Sequence, residues 1–179
     1  KAIWEIGRFS WVYPLIQAYQ LTNQEKYTQG VWRLVEDWAH ENPPNRGVHW
    51  KCGQEISIRM FGVATAYFSL SSTKSTGTRE RRLAENIVFE SAKRIEANIG
   101  YALSQKNNHG ISEAAGLFTA GILFGHIHWL KKGQYWLERL AKELIYADGS
   151  FSQHSTNYHR LMLQVYLWSI QLGKANGIF

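Results

Sequence analysis

The sequence predicts an all-α protein whose helices pair as in a bundle or an α/α toroid. Three observations lead there. Apolar residues recur at helical spacing along nearly the whole chain, no stretch alternates convincingly with period two, and the connections between helical stretches are short enough to pair neighbours. Such connections make consecutive helices antiparallel neighbours. With 179 residues, 45% of them apolar, residues 1–179 read as one domain with a substantial core.

About seven helices follow in order. The first is expected over about Ala2–Leu21, with Ile6, Phe9, Val12, Tyr13 and Ile16 turned inward. Thr22-Asn23 starts a second, about Gln24–Glu41, which "NPP" closes. The third, about Cys52–Leu70, carries Ile56, Met60, Val63 and Tyr67 on its inner face. "SSTKSTGT" is a polar loop, and a long fourth helix over about Arg79–Leu103 follows it. The fifth spans about Ser112–His128, the sixth about Gly133–Tyr146 and the seventh about Thr156–Gly173.

If consecutive helices are antiparallel, connections one, three and five lie at one end. They read "LTNQ", "SSTKSTGT" and "LKKG", which are ordinary polar turns. Connections two, four and six lie at the other end and read "ENPPNRGVHW", "SQKNNHG" and "ADGSFSQHSTNYH". Every cluster of His, Asn, Trp and Tyr in polar context falls in the second set. Loops held by a rigid scaffold commonly carry function, so this is the expected working face.

Charge and composition narrow what that face meets. A net charge of +6 favours an anionic partner, and aromatics at 14%, eight Trp and nine Tyr among them, suit stacking on ring-shaped ligands. No nucleic acid is expected, because the basic residues are spread along the chain and the cluster Lys74, Arg79, Arg81 and Arg82 falls at the opposite end. No apolar run reaches membrane-spanning length, so no membrane insertion is expected. The single cysteine, Cys52, excludes an internal disulfide framework and reads as a small buried residue. Seven histidines invite a metal, yet His126 and His128 point to different sides of a helix and His154 and His159 are awkwardly spaced. No HExxH arrangement occurs, and neither a metal nor another cofactor is expected.

The working face offers His49, Trp50, Asn107, Asn108, His109, His154, Tyr158, His159 and Arg160, with Gln54, Glu55 and Arg59 on the first turns of the third helix. Donors and cations dominate; the carboxylates are Glu55, Glu113 and Asp148. A glycoside hydrolase needs two carboxylates flanking its bond, and Glu55 with Glu113 is one candidate pair. Each also sits in an early helical turn, where a carboxylate simply favours the helix dipole. Donors, an imidazole and a tyrosine suit a different reaction. Removing the proton beside a carboxylate builds negative charge there, which an Asn amide and a His stabilise. A Tyr near the leaving oxygen then gives, and sometimes also takes, a proton. That is β-elimination on a uronic acid, with an acidic polysaccharide as the partner.

Four segments, "RFSWVYPLIQAYQLTNQEKY", "DWAHENPPNRGVHWKCGQEISIR", "NNHGISEAAGLF" and "DGSFSQHSTNYHRLML", resemble in order segments of the heparinase II/III-like and alginate-lyase group of polysaccharide lyases. The resemblance runs from about Trp4 to Leu167. It implies an incomplete α/α toroid of about seven antiparallel helices, followed in the parent chain by a C-terminal β domain that completes the cleft. It further implies that Asn108 and His109 neutralise the uronate carboxylate, and that Tyr158 is the general acid, or acid and base together. Gln54 and Arg160 match substrate-contacting positions, and Trp50, Glu55, Arg59 and Asn107 complete the expected substrate-binding set. Where the family often has a Glu, this chain has Gln153. A periplasmic or secreted parent follows from the same resemblance. The chain begins inside a helical pattern, at "KAIWEIGRFSW", and is expected to be a piece of a longer protein, feeble or inactive by itself.

Plainer readings stand beside these. Asn107 and Asn108 suit a helix cap or turn, Tyr158 a ring packed at a helix start, Trp50 a core residue, and Asp148-Gly149 a turn. Arg59 lies one helical turn past Glu55, as an intrahelical ion pair would have it. For the whole protein, the alternatives to a lyase are a non-catalytic module for acidic glycans and an α/α-toroid glycoside hydrolase.

Overall fold

The computed structural model of the chain describes residues 2–179. The helices are α1 Ala2–Gly7, α2 Val12–Thr22, α3 Glu25–Glu41, α4 Gly53–Leu70, α5 Thr78–Ser104, α6 Asn108–Phe124, α7 Ile127–Leu144 and α8 Thr156–Ala175, with a 3-10 turn at Val48–Trp50. Among the described residues the extended pairing is an isolated antiparallel bridge between Ile145 and Phe151. Two compact units divide the chain, the first reaching Ser91 and the second running Ala92–Phe179.

In the first unit, the single helix expected over Ala2–Leu21 is two helices, α1 and α2. Pro14 is the reason. It has no N–H to offer the Ser10 carbonyl, and its ring collides with that carbonyl in a continuous helix. The chain turns instead, with Phe9 in the left-handed region at φ 60°, and Pro14 falls in the first turn of α2. The turn seats Phe9 edge-on against Trp38, ring centroids 5.1 Å apart. It also changes the inward set: Phe9, Val12 and Ile16 are buried, whereas Ile6 and Tyr13 are exposed. On α3, Thr28, Val31, Trp32, Val35 and Trp38 form one buried stripe at helical spacing. Helix α2 packs on both α3 and α4.

The second unit is organised around α6, which is buried at every position from Gly110 to Gly121. A helix without a solvent face needs neighbours all round, and α7 and α8 both pack on it. Two glycines set the approach of α7. A Cβ on Gly133 would stand 2.4 Å from the Phe118 backbone nitrogen, and one on Gly121 2.3 Å from that of Leu130. The expected fifth connection, "LKKG", is therefore corrected: it lies inside α7, and its glycine is a contact residue, not a breaker. Helix α6 stops at Gly125, φ 61°, whose N–H bonds back to Gly121 and Ile122 carbonyls. His126 then caps α7 by accepting the Trp129 N–H at Nδ1. Helix α8 is fastened by Trp168 Nε1 donating to Thr119 Oγ1 on α6 (2.9 Å) and by the Tyr166 hydroxyl donating to the Leu137 carbonyl on α7 (2.9 Å).

Candidate functional site

Asn107 opens α6 in an extended conformation. Its Oδ1 accepts the His109 N–H at 2.9 Å while its Nδ2 donates to Gln105 Oε1 at 3.1 Å. This is an N-cap, so Asn107 holds the helix start. Asn108 is the first helical residue and only 2% exposed. Its backbone N–H donates to Gln153 Oε1 at 2.9 Å. His109 is half-buried, whereas Tyr158, in the first turn of α8, is 42% exposed and Arg160 is exposed. The Asn108–Gln153 bond brings connections four and six to one end of this unit.

The segment that carries Gln153 is anchored in turn. The Ser152 N–H donates to the Leu144 carbonyl and the Tyr146 N–H to that of Ser150, both at 2.9 Å. Gly149 makes the bend at φ 84°, Asp148 Oδ1 accepts from the Ser150 N–H and hydroxyl, and Phe151 is buried. Asp148-Gly149 is thus the turn its sequence indicates.

The other expected contact residues belong to the first unit and are buried: Trp50, Gln54, Glu55 and Arg59. Glu55 does not take Arg59 as its hydrogen-bonded partner. It receives both prongs of Arg8, Nε to Oε2 at 2.5 Å and Nη2 to Oε1 at 2.7 Å, the strong bidentate geometry. That bond is the main reason the Arg8 pKa is raised. Arg59 has no exposed surface. Its Nη1 donates to the Gly7 carbonyl (3.2 Å) and its Nη2 to that of His49 (3.0 Å), with the guanidinium over the rings of Trp38 and Trp50. Burial pushes it down to about 9, with Glu55 opposing, so it stays charged at neutral pH. Trp50 Nε1 donates to the Asn42 carbonyl at 3.0 Å. Arg59 and Trp50 clamp the end of α1, the Asn42 end of α3 and the 3-10 turn onto α4, and Arg8–Glu55 ties the segment after α1 to α4. Within this chain Trp50, Glu55 and Arg59 brace the first unit through these bonds. Arg8 is missing from the expected set because its partner is 47 residues away, and no local spacing signals such a pair.

Neither carboxylate of the hydrolase alternative is open. Glu55 is engaged by Arg8, and Glu113, 5% exposed on α6, is pushed up to about 8 by burial, with Arg94 opposing. Among the described residues no three His, Cys, Asp or Glu side chains gather as a metal site requires.

Comparison with known proteins places this fold. Residues 2–179 match the family model described as "Heparinase II/III N-terminus". A heparin-sulfate lyase of Bacteroides thetaiotaomicron is 24% identical over 183 residues, covering 97% of this chain and 25% of that protein. Another, of Pedobacter heparinus, is 23% identical over 171 residues, covering 92% and 26%. The crystal structure of heparan sulfate lyase HepC from Pedobacter heparinus superposes with a TM-score of 0.77 at 21% identity, over 98% of this chain and 28% of that one. That of Heparinase III gives 0.76 at 23% identity, over 96% and 27%. The chain spans about a quarter of the length of the curated relatives it matches. Its fold is the expected one, all-α and of the incomplete α/α toroid class. Since the family match runs through every described residue, the chain belongs to the heparinase II/III N-terminal family.

Proposed function

We propose that this chain is the toroid portion of a lyase that splits a uronate-containing acidic polysaccharide by β-elimination, with heparan sulfate the first substrate to test. One observation carries the reading: a capped start of α6 holds Asn108 and His109 beside the loop that leads to an exposed Tyr158. In the reaction the C5 proton leaves, the C4–O bond breaks, its electron pair stays on the departing oxygen, and a 4,5 double bond forms. Asn108 and His109 donate to the uronate carboxylate as it gains charge. A donor fixed by burial needs no reorganisation at that moment. Tyr158 delivers a proton to the leaving oxygen and, serving as both acid and base, takes the C5 proton; if it serves as acid alone, a base on the parent's C-terminal β domain takes that proton. Arg160, exposed one helical position past His159, draws the acidic polymer in. The names of the relatives and the net charge of +6 support this substrate class. In the parent a C-terminal β domain completes the cleft, no cofactor takes part, and the protein works in the periplasm or outside the cell, where such polymers are met.

The test is a substrate panel on the full-length parent: heparan sulfate, alginate, hyaluronan and bacterial exopolysaccharides. Elimination leaves a 4,5-unsaturated sugar that absorbs in the near ultraviolet, and at least one polymer is expected to give that signal. New reducing ends without absorbance would establish a hydrolase, and binding without cleavage a glycan-binding module.

A further inference from the structure

We infer that Gln153 is a positioning residue: through the Asn108 N–H it fixes the Asn108–His109 donor pair relative to the helix start that carries Tyr158. The inference rests on the lyase reading above. The first N–H groups of any helix lack intrahelical acceptors. In α6 one of them, on His109, is taken locally by Asn107. The one on Asn108 is taken from 45 residues away, by Gln153 Oε1 at 2.9 Å. A local cap is enough to start a helix; an acceptor from a distant loop adds a constraint between two loops.

The constraint reaches α8. The backbone carbonyl of Gln153 accepts the Ser155 N–H at 2.6 Å, and the Ser155 carbonyl accepts the His159 N–H at 2.9 Å, closing the first turn around Tyr158. Upstream, Gln153 follows directly on the hairpin held by the Ser152–Leu144 bond and buried Phe151. One amide side chain therefore connects the start of α6 to the start of α8. Because Asn108 is 2% exposed, removing the acceptor leaves its N–H where water is a poor substitute. The first turn of α6 then loosens while the enclosed remainder stays in place, and the donors on that turn lose their fixed placement. Reaction rates depend steeply on such placement.

The experiment uses the full-length parent, with Gln153→Leu and Gln153→Ala removing the acceptor and Gln153→Glu keeping it. Turnover is followed by near-ultraviolet absorbance, and exchange of the Asn108 amide by NMR. Gln153→Leu and Gln153→Ala are expected to lower kcat by about 10- to 100-fold with a smaller change in KM, and to speed Asn108 exchange. Gln153→Glu should restore both. Wild-type kcat in either acceptor-free variant, or an equal loss in all three, would overturn the inference. If Gln153→Leu fails to fold, Gln153→Ala and Gln153→Glu decide it by the same comparison. Should the wild-type parent form no unsaturated product, the lyase reading fails, and the catalytic part of this inference with it. The exchange data still judge the brace: equal Asn108 exchange with and without the acceptor would refute it.

Discussion

Asn107 caps α6 with both ends of its amide engaged. Asn107→Ala is therefore expected to lower the unfolding free energy by about 1 kcal/mol, read by urea denaturation. Tyr158→Phe removes one hydroxyl from an exposed ring. Stability should hardly change, while unsaturated product from the parent should disappear; undiminished turnover would remove Tyr158 from the mechanism. Arg59 behaves oppositely. Arg59→Met strips donors from the Gly7 and His49 carbonyls and should lower stability by roughly 3 kcal/mol. Glu113 makes a pH prediction. Its folded form keeps the proton up to about 8, against an ordinary value of 4.5. Unfolding in that window releases the proton, so this group's contribution is full below 4.5 and is lost as pH rises through about 8. Glu113→Gln should gain in melting temperature relative to wild type as pH is raised across that window.

At the scale of elements, Gly133 carries the sharpest prediction. Gly133→Ala drives a methyl into the Phe118 nitrogen and the Ala114 carbonyl, and backbone of a buried helix cannot step aside. A loss of about 2 kcal/mol or more is expected, measured by thermal unfolding. The same residue shows what a sequence conceals. Helices are legible because an apolar stripe is a local property, and α3 displays its stripe in full. Gly133 reads as a stop because its true reason, a second helix pressed against it, is not local. Pro14 erred in the other direction: its effect is local, but apolar periodicity on both sides hid the break at Phe9. The residues around α6 and α8 were legible as a group because polar clusters stand out at helix starts. The Arg8–Glu55 fork was not, since it joins distant segments.

For the whole molecule, length is the informative quantity. The matched lyases are about four times as long as the part that this chain resembles. On the proposed lyase reading, the 179-residue chain is accordingly expected to bind acidic glycans weakly and to release little or no unsaturated product, and the full-length parent is expected to release it. Full activity from the chain alone would show that the cleft is complete within it. Isothermal titration beside the absorbance assay separates weak binding from absent binding.

A helix enclosed along its length also limits how this protein can change. From Gly110 to Gly121 there is no solvent-facing position at which a substitution is cheap, and six of those residues are glycine or alanine: Gly110, Ala114, Ala115, Gly116, Ala120 and Gly121. A saturation library sorted for folded protein should come back nearly unaltered there and diverse at His154, Asn157, Tyr158 and Arg160, which are exposed. New polymer preferences would then arise on the loop and first turn of α8, while the donor-bearing helix beneath them stays as inherited.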